Sequence, residues 1–545
     1  MFRTEYDEKE KLWSGLNIPP LYNPKISIAQ VLLRALAKNG PKLSQISDDS
    51  GIQMTCDEIR LKAIRAAQNL QQRGYEPKQV IGIMARNSHH LAPIVFASMS
   101  MGCPINAIGS TFDRADLIQN LRTPEPVVVF CDVDMYDCLQ ECLNEMGNNA
   151  KVFTFGGSKC DSEEVENLFI ETGKEDNFLP VEVDGVNDIA VYLSTSGTTG
   201  LSKGVSITHA ALLGQLSQDD VLYPTDIVLN FSQIFWIAGI RELLVATMNG
   251  ATRIITTQSF TPELQLRLIE QYRVTYLLNL PIQLTNLLKS DRLATADLSS
   301  VRIILAGGNK VPLQLKQEMN SKLPNGYVHV AYGLTELCGY ISLDFPKSSD
   351  NDTIGQLVAG AKSKIVDDDG NRCGVNVDGE ICIKATNKFA GYYDNETATA
   401  EFFDEEGFVR SGDIGHFDED GNLYIVDRKK NIFFYCGFTI EPSVVESYLS
   451  ASPDIKLVCV VGVDKIVYSL AAALIVRDEN SNITEKEIIE MVAAHFPDQY
   501  HLRGGVYFVD SIPTTRNGKI SHRKARQMAA RLHEESTEGN KDSSI

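Results

Sequence analysis

Short apolar runs alternate with longer mixed segments through most of the chain. Ile28 to Lys38 reads as a helix, Val80 to Met84 as a strand and Leu91 to Met101 as a helix. Further strands are expected at Pro126 to Phe130, Lys151 to Phe155, Ile189 to Leu193, Asp226 to Phe231, Thr252 to Thr256, Val274 to Leu280, Val301 to Leu305 and Val328 to Ala331. Continuous apolar strands separated by helices predict parallel sheets covered on both faces. Ligands of such sheets gather at the C-terminal ends of the strands. From about Ile354 the strands shorten and turns such as Asp367-Asp368-Asp369-Gly370 and Asp420-Gly421-Asn422 become dense, which predicts a small antiparallel β unit. Asp427-Arg428-Lys429-Lys430-Asn431 is a charged break after the strand Tyr424 to Val426 and sets the expected domain boundary. The domains are therefore 1–428 and 429–532. The second is a small α+β unit with helices at Pro442 to Ser450 and Glu485 to Ala494 and strands at Leu457 to Val461 and Val506 to Val509. The polar tail 533–545 is expected to be disordered.

Composition narrows the function. The chain has 545 residues, with 43% apolar and 22% charged, as an ordinary globular enzyme would. A formal net charge of -20 argues against nucleic acid or an anionic membrane as the main partner, while leaving room for a locally basic nucleotide site. The 11 cysteines are scattered without a Cys-x-x-Cys pair, and Cys138 and Cys142 share a helical face. Met1 to Lys11 is charged and lacks the apolar centre of a signal peptide. A reduced, intracellular protein is expected. The uncharged stretch Leu91 to Phe112 is broken by Gly102, Pro104, Asn106 and Gly109, so no membrane span is expected there.

The candidate chemistry centres on Ser194-Thr195-Ser196-Gly197-Thr198-Thr199-Gly200-Leu201-Ser202-Lys203-Gly204-Val205, between the strand ending at Leu193 and a helix beginning near Thr208. Its glycines let the backbone wrap closely and aim N–H groups at one anion; the hydroxyls add donors and Lys203 adds charge. That combination suits a polyphosphate. It is not the common nucleotide loop, because Ser202 and Gly204 flank the lysine where Gly and Ser/Thr would be needed.

Tyr332-Gly333-Leu334-Thr335-Glu336 follows another strand. Tyr332 can stack on an adenine, Gly333 permits close backbone approach, Thr335 can donate to a phosphate, and Glu336 is a hard oxygen ligand for Mg²⁺. Gly307-Gly308-Asn309 can line a nucleotide or acyl pocket with backbone. Asp413, beside Gly412, can accept two ribose hydroxyls. Lys519 sits on the turn Asn517-Gly518-Lys519 before the basic helix Arg523 to Arg531.

In this order the motifs resemble those of the adenylate-forming superfamily, which includes acyl-CoA synthetases, beetle luciferases and peptide-synthetase adenylation domains. Gly391-Tyr392-Tyr393-Asp394 and Gly504-Gly505-Val506-Tyr507-Phe508-Val509-Asp510 add to the resemblance, in particular to insect luciferase-like fatty-acyl-CoA synthetases. The resemblance implies an α/β fold: a large N-terminal domain of two doubly wound sheets with a small β-barrel-like subdomain, then a small mobile α+β domain. It implies ATP, Mg²⁺ and coenzyme A, with a carboxylate, here a fatty acid, activated to acyl-AMP and then acyl-CoA. By the same resemblance the 194–204 loop holds the β- and γ-phosphates, and Tyr332 stacks near adenine. Thr335 contacts the α-phosphate, Glu336 holds Mg²⁺, and Asp413 and Arg428 hold the ribose. Lys519 bridges carboxylate and α-phosphate oxygens, and Lys430 is the hinge. The chain departs from the pattern at Phe434 and Cys436, before Gly437, where lysines are usual. It departs again at Ser232-Gln233-Ile234-Phe235-Trp236, where His-His is usual, and at Gly308-Asn309-Lys310-Val311-Pro312. These differences point to an altered thioester-forming step, to a light-emitting oxidation that is weak at most, and to a different pocket floor. A non-CoA acceptor, or nucleotide and acyl binding without catalysis, are the alternatives. Many relatives are peroxisomal, yet the tail ends Lys-Asp-Ser-Ser-Ile, not Ser-Lys-Leu, leaving cytoplasm or peroxisome open.

Overall fold

The computed structural model describes residues 3–196, 202–216, 221–345, 351–385, 389–429, 431–435, 438–464, 469–514 and 519–539. The chain divides into two compact units. One comprises Met1–Ser363, Ile383–Val409 and Asp420–Asn422, and the other Lys364–Cys382, Arg410–Glu419 and Leu423–Ile545.

The first unit carries two large sheets. One runs, strand beside strand, through Gly391–Tyr392, Ser202–Thr208, Ile189–Ser196, Ile105–Ala107, Ile81–Met84, Val128–Asp132, Lys151–Phe155 and Glu163–Glu164. The other runs through Gln356–Leu357, Gly339–Leu343, Tyr327–Leu334, Ile303–Gly307, Tyr276–Asn279, Ile227–Asn230, Thr252–Ile255, Leu43–Ser47 and Gln53–Thr55. Their centres are parallel; the Gly391–Tyr392 edge of the first sheet and both edges of the second are antiparallel, while the Glu163–Glu164 edge is parallel. The unbroken apolar strands are buried, as in Val128–Asp132, because helices cover both faces. Leu229, Leu277, Ile304 and Val328 of the second sheet pack with Leu268 and Leu284 of its helices in one core. The helix Leu91–Ser100 is buried at every position, so the uncharged stretch is interior. Among the described residues no helix is long and apolar enough to cross a membrane.

Several strands begin later than their apolar runs because a turn claims the first N–H. Val301 donates to the Leu298 carbonyl at 3.0 Å, so the ladder starts at Ile303. Val274 donates to Ile269 at 3.2 Å, closing the preceding helix, and pairing starts at Tyr276.

In the second unit the strands Lys362–Val366, Gly379–Lys384, Val409–Phe417 and Leu423–Arg428 follow one another as neighbours through their residues in this unit. Beyond them, Ile455–Asp464 pairs antiparallel with Ser469–Arg477, which pairs parallel with Gly505–Phe508. The alternation of these strands divides the core. Val460, Ala473 and Val506 face the helices Pro442–Ser450 and Glu485–His495 through Val445, Leu449, Ile488 and Val492. Cys459, Val461 and Leu474 face Ala525 and Ala529 of the helix His522–Gly539. That helix continues through residues 533–539, where composition suggests a disordered tail. His533 holds it down, its Nδ1 lying 3.0 Å from the Gly504 carbonyl and 3.2 Å from the Tyr507 hydroxyl.

Candidate active site

The glycine-rich stretch does not lead straight into a helix. Ile189–Ser196 and Ser202–Thr208 form an antiparallel hairpin, with Thr195 opposite Lys203 and Ser196 opposite Ser202, and the helix begins at His209. The reason is the alternation Val205, Ile207, both buried, which lays one face of the returning segment on the core. Gly197, Thr198, Thr199 and Gly200 lie outside the described residues, as do Lys430, Cys436 and Gly437, and the side chains of Ser196 and Phe434 are not described. Ser194 hydrogen-bonds to the Asn120 side-chain oxygen. Asn120 is itself fixed, its Nδ2 donating to the Asp116 carbonyl at 2.7 Å and its carbonyl accepting from Asn106 Nδ2 at 2.8 Å.

Tyr332 and Gly333 lie within the strand Tyr327–Leu334, not after it. This strand continues past Ala331 to pair antiparallel with Gly339–Leu343, with a register shift between Tyr332 and Gly333. The partner strand explains the glycine. A Cβ on Gly333 would stand 1.9 Å from the Gly339 carbonyl oxygen, so the backbone it admits closely is its own hairpin. Thr335–Leu337 makes the turn, closed by Cys338 N–H on the Thr335 carbonyl at 2.9 Å, with Cys338 in the left-handed region at φ 64°. Gln215 Nε2 clamps the turn through the Leu337 carbonyl at 3.0 Å. Gly307, at the neighbouring strand end, pairs with Ala331, and Gly308 adopts φ 86° against Leu280.

The turn places Glu336 with only 9% of its surface exposed. The Tyr392 hydroxyl donates to Glu336 Oε1 at 2.8 Å. Burial, and then the Glu336 carboxylate, push that hydroxyl's pKa far up, so it remains a donor. Lys203 Nζ stands 4.9 Å from the centre of the same ring, within cation–π range. Tyr392 reaches both because Gly391–Tyr392 adds to the glycine-rich hairpin, Val205 opposite Tyr392, with Tyr393 N–H on the Gly204 carbonyl at 2.8 Å. Phe389 and Phe402 pack edge-on against it at 5.3 and 5.6 Å. Thus the structure brings Ser194, Thr195, Lys203 and Glu336 to one place, with Tyr392 between the last two. Tyr392 was visible in the sequence only as part of a recurring motif; nothing local marks a tyrosine as the partner of a carboxylate 56 positions away.

Along the same unit, Ser110 Oγ donates to Gln233 Oε1 at 2.7 Å, and Phe112 meets Phe235 edge-on at 5.4 Å. Gly239 lets the helix Ile237–Asn249 start against this segment, since a Cβ there would stand 2.0 Å from the Gln233 carbonyl oxygen. The Ser232–Trp236 departure is therefore a packed segment, linked through Gln233 to Ser110 and through the Ser232 carbonyl, which accepts from Asn87 Nδ2 at 3.1 Å.

In the second unit Asp413 and Arg428 are cross-strand partners, joined by Arg428 Nε to Asp413 Oδ1 at 2.8 Å. Asp413 is almost fully buried and receives the strand's support through Ser411 Oγ, which accepts from Asp413 N–H at 3.0 Å. Lys519 is half-buried and stands beside Ile520, which bridges to Thr514, directly before the helix His522–Gly539.

Comparison with known proteins extends these observations. Residues 33–393 match the family "AMP-binding enzyme" and residues 444–519 the "AMP-binding enzyme C-terminal domain". A luciferin 4-monooxygenase of Luciola mingrelica is 28% identical over 529 residues, covering 93% of this chain and 96% of that protein. A 4-coumarate–CoA ligase 3 of Oryza sativa subsp. japonica is 28% identical over 519 residues, covering 93% and 92%. The solved structure of a luciferase-like enzyme from the nonluminescent mealworm Zophobas morio superposes with a TM-score of 0.71 at 26% identity, covering 76% of this chain and 98% of that one. With a glycine-rich hairpin, a carboxylate held at its side and both family segments in sequence, the chain is a member of the AMP-binding, adenylate-forming enzyme family.

Proposed function

We propose that the protein activates a fatty acid in two steps. The carboxylate attacks the α-phosphate of ATP, giving acyl-AMP and pyrophosphate. The thiol of coenzyme A then displaces AMP, giving acyl-CoA. The observation that carries this reading is the convergence of Lys203, Tyr392 and Glu336 beside the glycine-rich hairpin. A cation and a hard oxygen ligand at one place suit a polyphosphate with its Mg²⁺. Glu336 would hold that ion. Ser194 to Lys203 would cradle the β- and γ-phosphates, Tyr332 would stack on adenine, and Thr335 would donate to the α-phosphate. Asp413 and Arg428 would take the ribose, and Lys519 would supply the cation for adenylation. We place the domain boundary at 428/429 and the hinge at Lys430, so the small domain can turn between the two steps.

The test is a panel of carboxylates, from short to very long fatty acids and including aromatic acids, with purified protein, ATP and Mg²⁺, with and without coenzyme A. AMP and acyl-CoA rising together with a fatty acid are expected. Pyrophosphate without acyl-CoA would support the second reading, motivated by Phe434 and Cys436, in which another acceptor or weak oxidation consumes the adenylate. An aromatic acid as the preferred substrate would overturn the fatty-acid assignment.

Tyr392→Phe removes the hydroxyl that orients Glu336. Loss of a partner behind a metal ligand costs about 10–100-fold in metal affinity. The Mg²⁺ concentration giving half-maximal pyrophosphate release should rise by about that factor, with the protein still folded. An unchanged Mg²⁺ dependence would remove Tyr392 from the site.

A further inference from the structure

Three side chains of metal-binding type converge in the second unit, on elements the proposed reaction does not use. Glu446 lies on the helix Pro442–Ser450, Cys459 on the strand Ile455–Asp464, and His522 opens the helix His522–Gly539. One donor atom from each lies within 4.8 Å of the other two. Cys459 Sγ and His522 Nδ1 are 3.7 Å apart. Around a tetrahedral Zn²⁺, with Zn–S about 2.3 Å and Zn–N about 2.0–2.1 Å, sulfur and nitrogen ligands stand about 3.6 Å apart. The Cys459–His522 spacing therefore fits two ligands of one ion, and the Glu446 carboxylate lies within 4.8 Å of both.

The surroundings support the same chemistry. Glu446 Oε1 accepts the Val460 N–H at 2.7 Å, an outer contact that orients the carboxylate. Cys459 is fully buried, while Glu446 and His522 are half-buried. Asp427 adds negative charge toward the thiol, and its own carboxylate is held by the N–H groups of Arg428 at 2.6 Å and Ser443 at 3.0 Å. Burial, then the charge and hydrogen bond of Glu446, hold the thiol well above its usual range, so Cys459 is a poor nucleophile and not a reactive cysteine. A soft sulfur, an imidazole and one carboxylate suit Zn²⁺ far better than Mg²⁺ or Ca²⁺.

We propose that Glu446, Cys459 and His522 form a Zn²⁺ site, with water in the fourth position. Binding displaces the Cys459 thiol proton to solvent and leaves a zinc-bound thiolate. The ion ties the first turn of the helix His522–Gly539 to the strand Ile455–Asp464 and the helix Pro442–Ser450. It thereby fixes the root of the segment that carries Lys519.

Full-length protein, reduced and stripped by a chelator, is titrated with Co²⁺ and followed by absorption. One equivalent should give a thiolate-to-cobalt charge-transfer band with the strong visible bands of a tetrahedral site, and Zn²⁺ should displace it. His522→Ala should weaken binding by about 100-fold or more, at least the loss seen on removing an outer partner of a ligand. Cys459→Ser should abolish the charge-transfer band. Because Cys459 is buried and its variant can fail to fold, the half-buried His522→Ala, with its melting curve checked, carries the decision. Absence of the thiolate band, or unchanged Co²⁺ affinity in His522→Ala, would overturn the site and leave the thiol as a plain hydrogen-bond donor to Glu446.

Discussion

Replacing Lys519 by alanine is expected to slow adenylation by at least ~10²-fold, the typical cost of deleting one donor aimed at developing charge. The carboxylate is an anion attacking a polyanion, so the barrier contains repulsion that only a cation near the reacting oxygens offsets. Lys519 is suited to this by its mounting. The Thr514–Ile520 bridge and the 2.8 Å hydrogen bond from Ser521 N–H to the Pro513 carbonyl fix the arm it stands on, and the helix from His522 anchors the arm's end. ATP–pyrophosphate exchange is the measurement, because it reads the first step alone. Thioester formation from supplied acyl-adenylate should fall far less, since no polyanion is attacked there. Exchange at the full rate in Lys519→Ala would dismiss the assignment. Equal losses in both steps would make the lysine structural.

Asp344→Ala is expected to destabilise the first unit by about 3–5 kcal/mol, the cost of leaving a buried charge without its partner. Lys316 Nζ lies 2.5 Å from Asp344 Oδ2, and the two side chains are 2% and 1% exposed. Asp344 Oδ1 also accepts the Val330 N–H at 2.6 Å, and the Asp344 carbonyl lies 2.9 Å from His329 Nδ1. The carboxylate therefore holds the strand Tyr327–Leu334, which carries Tyr332 and Gly333. Amide exchange in Tyr327–Leu334 and Gly339–Leu343 should accelerate most, together with a lower urea midpoint. Replacing both partners, as Lys316→Met with Asp344→Leu, should recover much of the stability, because apolar substitutes of similar volume owe no desolvation. A single variant as stable as the parent would mean that water or a neighbour satisfies Lys316.

Much of this molecule was legible in the chain itself. Alternating apolar runs identify the parallel sheets, because a strand covered on both faces must be apolar on both faces. The glycine, hydroxyl and lysine pattern from Ser194 to Lys203 is likewise local, and it is the basis for proposing a polyphosphate ligand, because few other ligands need that many donors on so short a backbone. The order of the motifs indicates the family, which residues 33–393 and 444–519 match. These features are local, and local residues suffice to encode them.

Other features belong to the tertiary structure. Ser202–Thr208 is a strand and not the approach to a helix, because its edge pairs with Ile189–Ser196 on one side and Gly391–Tyr392 on the other. Tyr392 becomes the partner of both Glu336 and Lys203 only when that short strand docks. The Gly333 requirement arises from Gly339 across a hairpin, and the Lys316–Asp344 pair joins a helix to a strand end. Glu446, Cys459 and His522 are spread over more than one helix and a strand, and no spacing rule links them. In each case the interaction is a short-range force between groups far apart in sequence. Periodicity and motif spacing report what a residue's own neighbours allow. Which distant side chain fills a hydrogen-bond or ion-pair position is decided only when the sheets and helices have packed.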